Sequence, residues 1–308
     1  MVHGALDATA GPRPMNQAVF TKDTEQAETP SGKGAGDENF PVGSFLLPRR
    51  LRPHVAVYYA FARAIDDIAD NPDLSPGDKV VRLDGFDKAL LGQSDDPAFI
   101  KAVRARRMAE ATGVPLDHMR DLIIAFKQDA TKLRYRDWDD LRNYCRYSAS
   151  PVGRFLLDLH GEDRSGWTAS DALCDALQVL NHLQDCKADY LALNRVYLPM
   201  DWMGDARVKV EHLAAERASP GLRKVIDQCL DATQELLETA RPLPDLLKSR
   251  RLAMESATIV NIADKLLDKL RRQDPVAGRV QLSRLEFLSC GVRGVTQALF
   301  GRRPNAAA

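Results

Sequence analysis

No run of uncharged apolar residues in this chain approaches 18, so the sequence carries no signal for a membrane-spanning helix, and its N-terminus lacks the apolar core of a secretory signal. Cysteine pairs are missing as well. Cys145, Cys174, Cys186, Cys229 and Cys290 stand singly and are odd in number, and no CxxC occurs. That argues against a disulfide framework or a structural zinc and fits a reducing cytosol. Charge of one sign is not in excess: 43 basic residues balance 43 acidic ones, and nothing points to a nucleic-acid surface. The basic clusters "LPRRLRP", "VRARRM", "KSRRL" and "FGRRP" are local. P-loop, GxGxxG, GxSxG, HExxH and Glu-x-x-His patterns are all absent. Nucleotide binding, serine hydrolysis, zinc proteolysis and a di-iron bundle therefore have no support. His54, His118, His160, His182 and His212 show no ligand spacing and read as surface or satisfied core histidines.

What is present is helical periodicity. Apolar residues recur at three- and four-residue steps through 53–70, 78–92, 97–112, 116–134, 138–160, 170–193, 220–241, 246–273 and 281–299. Breaks fall at "NPDLSPGD", "GVP", "GEDRSGW" and "RPLP". No strand-like alternation and no repeat stands out. The expectation is one all-α domain over 38–300, with 1–37 (rich in Gly, Pro, Thr and Ala) as a disordered leader and 301–308 as a disordered tail.

Acids sit beside the apolar face in two of these segments. In "RAIDDIAD", Tyr59, Arg63, Asp66 and Asp70 form one stripe at steps of four, three and four, while Asp67 points away from it. In "LQDCKADY", Gln178, Asn181, Asp185 and Asp189 line up in the same manner. Like charges one turn apart cost a helix roughly 0.2–0.5 kcal/mol, and more when desolvated. Two such pairs facing one cavity would repel each other unless cations sat between them. Hard divalent cations suit the purpose, because Mg²⁺ takes carboxylate and water oxygens and shares its shell with substrate phosphates.

"ARAIDDIAD", "RNYCRYSASPVGR" and "VLNHLQDCKADYLALNRVYLP" together resemble the squalene/phytoene synthase family, over about Asn39 to Gly294. The resemblance implies an isoprenoid-synthase helical bundle around a central apolar cavity. Two DxxxD motifs would face each other across its mouth, holding two or three Mg²⁺ ions and diphosphate. Carried over, Asp66, Asp70, Asp185 and Asp189 are the metal-binding, catalytic acids. Arg63, Gln178, Asn181 and Arg279 match diphosphate-binding positions, and Tyr144 matches the catalytic tyrosine beside the reacting carbons. Phe40, Tyr59, Phe126, Ser148 and Phe155 are candidates for the cavity lining; Tyr144 and Ser148, one turn apart, are candidates to orient a water, although Ser148 and Ser150 read first as small residues that let a helix bend or pack closely.

Departures from the family pattern point to one branch. The N-terminal block reads "DENFPVGSFLLP", "AGxVG" becomes "ASPVG", and "LRD" becomes "LQD", with Gln184 for arginine; Ala263 stands where a tyrosine is expected. The likeness is then greatest to the branch that makes hydroxysqualene in the bacterial hopanoid pathway. It implies ionisation of presqualene diphosphate and quenching by water, without NADPH, between upstream and downstream squalene-pathway enzymes. Loss of the arginine at 184 is expected to relax diphosphate contacts. A C30 substrate also implies exchange with lipid, hence a cytoplasmic protein in peripheral contact with the inner face of the membrane. A head-to-head condensing synthase and a non-catalytic assembly factor are the alternatives.

Overall fold

A computed structural model of the chain describes residues 27–29 and 46–300. Twelve helices are found among these residues: α1 Arg52–Asp70, α2 Pro76–Leu90, α3 Ile100–Thr112, α4 Asp117–Thr131, α5 Trp138–Ser148, α6 Ser150–His160, α7 Trp167–Leu193, α8 Met200–Asp205, α9 Pro220–Ala240, α10 Leu243–Leu246, α11 Arg250–Arg272 and α12 Arg284–Phe300. The all-α expectation holds. Two short parallel strands, β1 Arg134–Tyr135 and β2 Val196–Pro199, are too brief to leave an alternation in the sequence.

Side-chain caps explain several of the boundaries. Ser75, Asp137, Ser219 and Ser249 each accept a backbone N–H at the start of a helix. Gly113 and Gly161 end α3 and α6 with φ of 74° and 69°, where a side chain would be strained. The segment expected as one helix over 138–160 is two. Ala149 leaves helical geometry (φ −123°, ψ −51°) ahead of Pro151, which suits a first helical turn but not an interior.

The core has two parts. Helix α7, 27 residues long, packs against α5, α6, α9, α11 and β2 around one set of apolar side chains. Helices α1 to α4 enclose a second set, joined by Phe155 and Leu159 from α6. Part of the stretch read as a leader docks on this second core. Ala27 N–H donates to the Ala98 carbonyl at 3.0 Å, and the buried Glu28 carboxylate meets Lys101 at 2.6 Å.

Candidate active site

A cavity of about 300 Å³ lies where the two cores meet. Helix α1 contributes Tyr59, Ala62, Arg63, Asp66 and Asp70 to its wall, and α7 contributes Gln178, Asn181, His182, Asp185, Asp189 and Leu193. Helical periodicity does the placing: Val55, Tyr58, Phe61, Ile65 and Ile68 bury the neighbouring face of α1, which turns the polar stripe toward the cavity. Phe126 and Asp129 of α4, Tyr144 and Ser148 of α5, and Arg195 and Tyr197 complete the lining. Both acid pairs thus front one space.

Each of three arginines grips a motif aspartate. Arg63 Nη1 lies 2.9 Å from Asp66, Arg195 Nη1 donates to Asp70 at 2.6 Å, and Arg279 Nε lies 2.7 Å from Asp185. Asp67 is only 6% exposed and binds Arg63 from the side away from the cavity, at 3.0 Å from Nε and 2.8 Å from Nη2. So the residue that falls off the stripe orients the arginine that lies on it.

Negative charge is nevertheless in excess. Burial, then the neighbouring Asp70, pushes the Asp66 carboxyl up to about 8, with Arg63 opposing. Burial, then Asp185 and Asp70, raises Asp189 to about 7. Asp129, 3% exposed, is raised to about 6 by burial, while Arg195 and the Tyr144 hydroxyl hold it down. That hydroxyl donates to Asp129 Oδ2 at 2.7 Å, and Tyr197 donates to the other oxygen at 3.2 Å. His182 stacks on Tyr197 with ring centroids 3.4 Å apart, and burial lowers it to about 3, so it is neutral at physiological pH. A buried carboxylate ringed by tyrosines and an imidazole gives the floor of the cavity electron-rich walls.

A family model for squalene/phytoene synthase matches residues 34–286. The chain belongs to the squalene/phytoene synthase family. It is 43% identical over 285 residues to a hydroxysqualene synthase of Rhodopseudomonas palustris, covering 91% of this chain and 97% of that protein. A hydroxysqualene synthase of Sinorhizobium fredii is 42% identical over 256 residues, covering 83% and 87%. Among solved structures, squalene synthase HpnC from Alicyclobacillus acidocaldarius superimposes with a TM-score of 0.66 at 36% identity, over 75% of this chain and 87% of that one.

Within this family framework most of the expected site residues are brought together. Asp66, Asp70, Asp185, Asp189, Arg63, Gln178, Asn181, Tyr144, Tyr59, Phe126 and Ser148 all line the cavity. Arg279 is not a wall residue but reaches the rim from the α11–α12 loop through Asp185. Phe155 is a correction: it is buried in the second core, stacked on Tyr58 at 3.8 Å between centroids, because α6 turns this position toward α1. Phe40 lies outside the described residues. Gln184 is the second correction. It faces away from the cavity, buried, with its amide donating to the Val280 carbonyl. Through Val280 it is tied to the loop that carries Arg279. Ser150 is more than a small packing residue, since its hydroxyl donates to the buried Asp175 at 3.0 Å. Asp129, His182, Arg195 and Tyr197 were not anticipated from the sequence.

No three His, Cys, Asp or Glu side chains among the described residues converge closely enough to hold a metal by themselves. Mg²⁺ does not require that, since it binds through one or two carboxylates and completes its shell with water and phosphate oxygens. An all-oxygen donor set under mutual repulsion, as Asp66 and Asp189 show, fits this ion in the company of a diphosphate.

Proposed function

We propose that this chain is a hydroxysqualene synthase: presqualene diphosphate and water give hydroxysqualene and diphosphate, with no reductant. The observation that carries the reading is the convergence of both acid pairs and two arginines on one cavity, with Arg279 reaching its rim through Asp185. Its relatives of that name at 42–43% identity support the choice within the family. Asp66, Asp70, Asp185 and Asp189 would hold Mg²⁺, which supplies positive charge to the departing diphosphate. Arg63, Arg195 and Arg279, freed from their aspartates as phosphate oxygens arrive, would supply the rest through charge-assisted hydrogen bonds. Gln178 and Asn181 offer neutral donors on the same stripe.

As the C–O bond breaks, the carbocation needs walls that neither capture it nor admit water early. Tyr59, Phe126 and Tyr197 offer aromatic faces of that kind in this cavity. Its lining is polar for the most part, so we assign it to the diphosphate end of the substrate. Water must finally attack the cation and lose a proton. The Tyr144 hydroxyl is committed to Asp129, whereas the Ser148 Oγ, buried in the cavity wall, has no hydrogen-bond partner among the described residues. We assign the orientation of the quenching water to Ser148. Asp129, able to take up a proton near neutrality, lies within reach of the same wall.

The test is mass spectrometry of the products from purified protein, Mg²⁺ and presqualene diphosphate without NADPH. An alcohol of squalene plus one oxygen is expected, carrying ¹⁸O when the water does. Squalene, or no product, refutes the proposal. A second reading, head-to-head condensation, is favoured by the solved structure described as a squalene synthase. Turnover of farnesyl diphosphate alone would support it.

A further inference from the structure

Helix α12 is apolar on the wrong side. Its inner face is fixed to α11: Gly294 lies against Thr258, Gln297 and Asn261 bond at 2.8 Å, and the Cys290 thiol donates to the Asn261 carbonyl at 3.5 Å. Its outer face carries Leu285, 78% exposed, Leu288, 64%, Val292, 59%, and Leu299, 42%, ending at Phe300, 84%. At 100° per residue the three leucines and the valine fall within about 60° of one another. The exposed Arg284 and Arg293 border this strip on its two sides, and neither forms an ion pair among the described residues. In sequence, Arg302 and Arg303 follow after Gly301.

We propose that this face seats the protein on an anionic lipid surface, the strip entering the headgroup–acyl boundary and the arginines meeting the phosphates. An apolar ridge flanked by cations is the pattern of a helix lying in a membrane interface. A second copy of the chain is a poorer occupant: a single file of five side chains falls well short of the roughly 20–30 residues a side of a stable dimer. The position also fits. Arg279 meets Asp185 at the cavity rim, and Leu285 follows six residues later, so their Cα atoms are at most about 20 Å apart. Docking through α12 brings the cavity rim close to lipid, where an apolar substrate and product would be exchanged.

The experiment is co-sedimentation of the full chain with sucrose-loaded vesicles of phosphatidylglycerol and phosphatidylethanolamine, against vesicles of phosphatidylcholine. It reads no turnover, so its outcome is independent of the reaction proposed above. Binding to the anionic vesicles is expected, weakening with salt. Replacing Leu285, Leu288 and Val292 together with Asp should lower the bound fraction about tenfold or more while the thermal midpoint holds, since these side chains touch solvent. Should that variant not fold, Arg284→Gln with Arg293→Gln keeps the test alive: about fivefold is lost per arginine on anionic vesicles, and nothing on neutral ones. Three results overturn the proposal: no vesicle binding by the wild type, binding that these changes leave intact, or a dimer in light scattering that the triple change splits without altering vesicle binding.

Discussion

Binding of magnesium pyrophosphate to the cavity should release protons at neutral pH. Asp66 and Asp189 are held at about 8 and about 7 by burial and by their acidic neighbours, so at pH 7 the first is mostly protonated and the second about half. Cations beside them favour the ionised form, and each proton lost on binding appears in solution. The expected release is roughly one to two protons per site at pH 7, falling toward zero by pH 9, where both groups are already ionised. Affinity should then rise with pH, roughly tenfold per unit for each proton released. The assay is isothermal titration calorimetry with preformed magnesium pyrophosphate, repeated in two buffers of different ionisation enthalpy. The slope of observed heat against buffer enthalpy counts the protons. Asp66→Asn and Asp189→Asn should each remove their share.

The same shifts set a sign for stability without added metal. Both carboxyls have folded values raised above the ordinary 3.8, so the folded state favours their neutral forms. The destabilisation they cause is full above about pH 8 and recedes as pH falls through about 8 and 7. His182, lowered to about 3, works the other way only once the pH drops below its ordinary 6.5. Between pH 8.5 and 6.5 the thermal midpoint should therefore rise on acidification, and magnesium pyrophosphate should flatten that rise. A site that binds magnesium pyrophosphate at pH 7 with no net proton release refutes the electrostatic account of the acid pairs, whatever the enzyme's product.

Other perturbations follow from particular contacts. Gly294→Ala would place a Cβ 2.4 Å from the Thr258 nitrogen and 2.5 Å from its Cα, so α11 and α12 must separate; a loss of about 1–3 kcal/mol should lower the thermal midpoint by several degrees in calorimetry. Arg195→Met strips the partner from Asp70 and from the Ala69 carbonyl, and kcat/KM should fall at least tenfold, which is about 1.4 kcal/mol. Gln184→Leu removes the tie to Val280, worth about 1 kcal/mol, and should raise KM severalfold at nearly constant kcat by loosening the loop that carries Arg279. Ser148→Ala should leave diphosphate release near its normal rate and shift the products from alcohol toward hydrocarbon formed by proton loss, read by chromatography coupled to mass spectrometry.

Much of the site was legible because its signals are local. Asp66 and Asp70, or Asp185 and Asp189, lie within one helical turn, and a period of 3.6 residues is enough to say that they share a face. That two such faces meet is not written in either segment; it followed from the electrostatic argument and from likeness to a family. What failed was inference about direction within the packed interior. Phe155 and Phe126 are both aromatics on amphipathic helices, yet only Phe126 reaches the cavity, because the choice depends on how α6 and α4 are rotated against α1. Gln184 failed for the same reason. It neighbours Asp185 in sequence but is turned 100° from it on α7, and that rotation carries it to Val280.

The residues that sequence reasoning missed share one cause, and Arg195 shows it best. Periodicity follows a helix to its end and says nothing of the chain beyond. Here the end is Asn194, which takes the left-handed conformation at φ 52° and ψ 28°, a geometry asparagine tolerates better than most residues. That single turn reverses the chain into β2, where the backbone of Val196 pairs beside Leu133. Arg195 is delivered to Asp70 across the cavity, and Tyr197 to Asp129 and His182. The one signal available was the "LNR" following the second acid pair, an asparagine at the C-terminal cap with a cation immediately after it. A cation placed six residues past a half-buried acid pair, behind a chain reversal, has few directions open to it other than back toward those acids. The turn, more than the helix, therefore decides how much of the charge on the four motif aspartates is met by the protein itself.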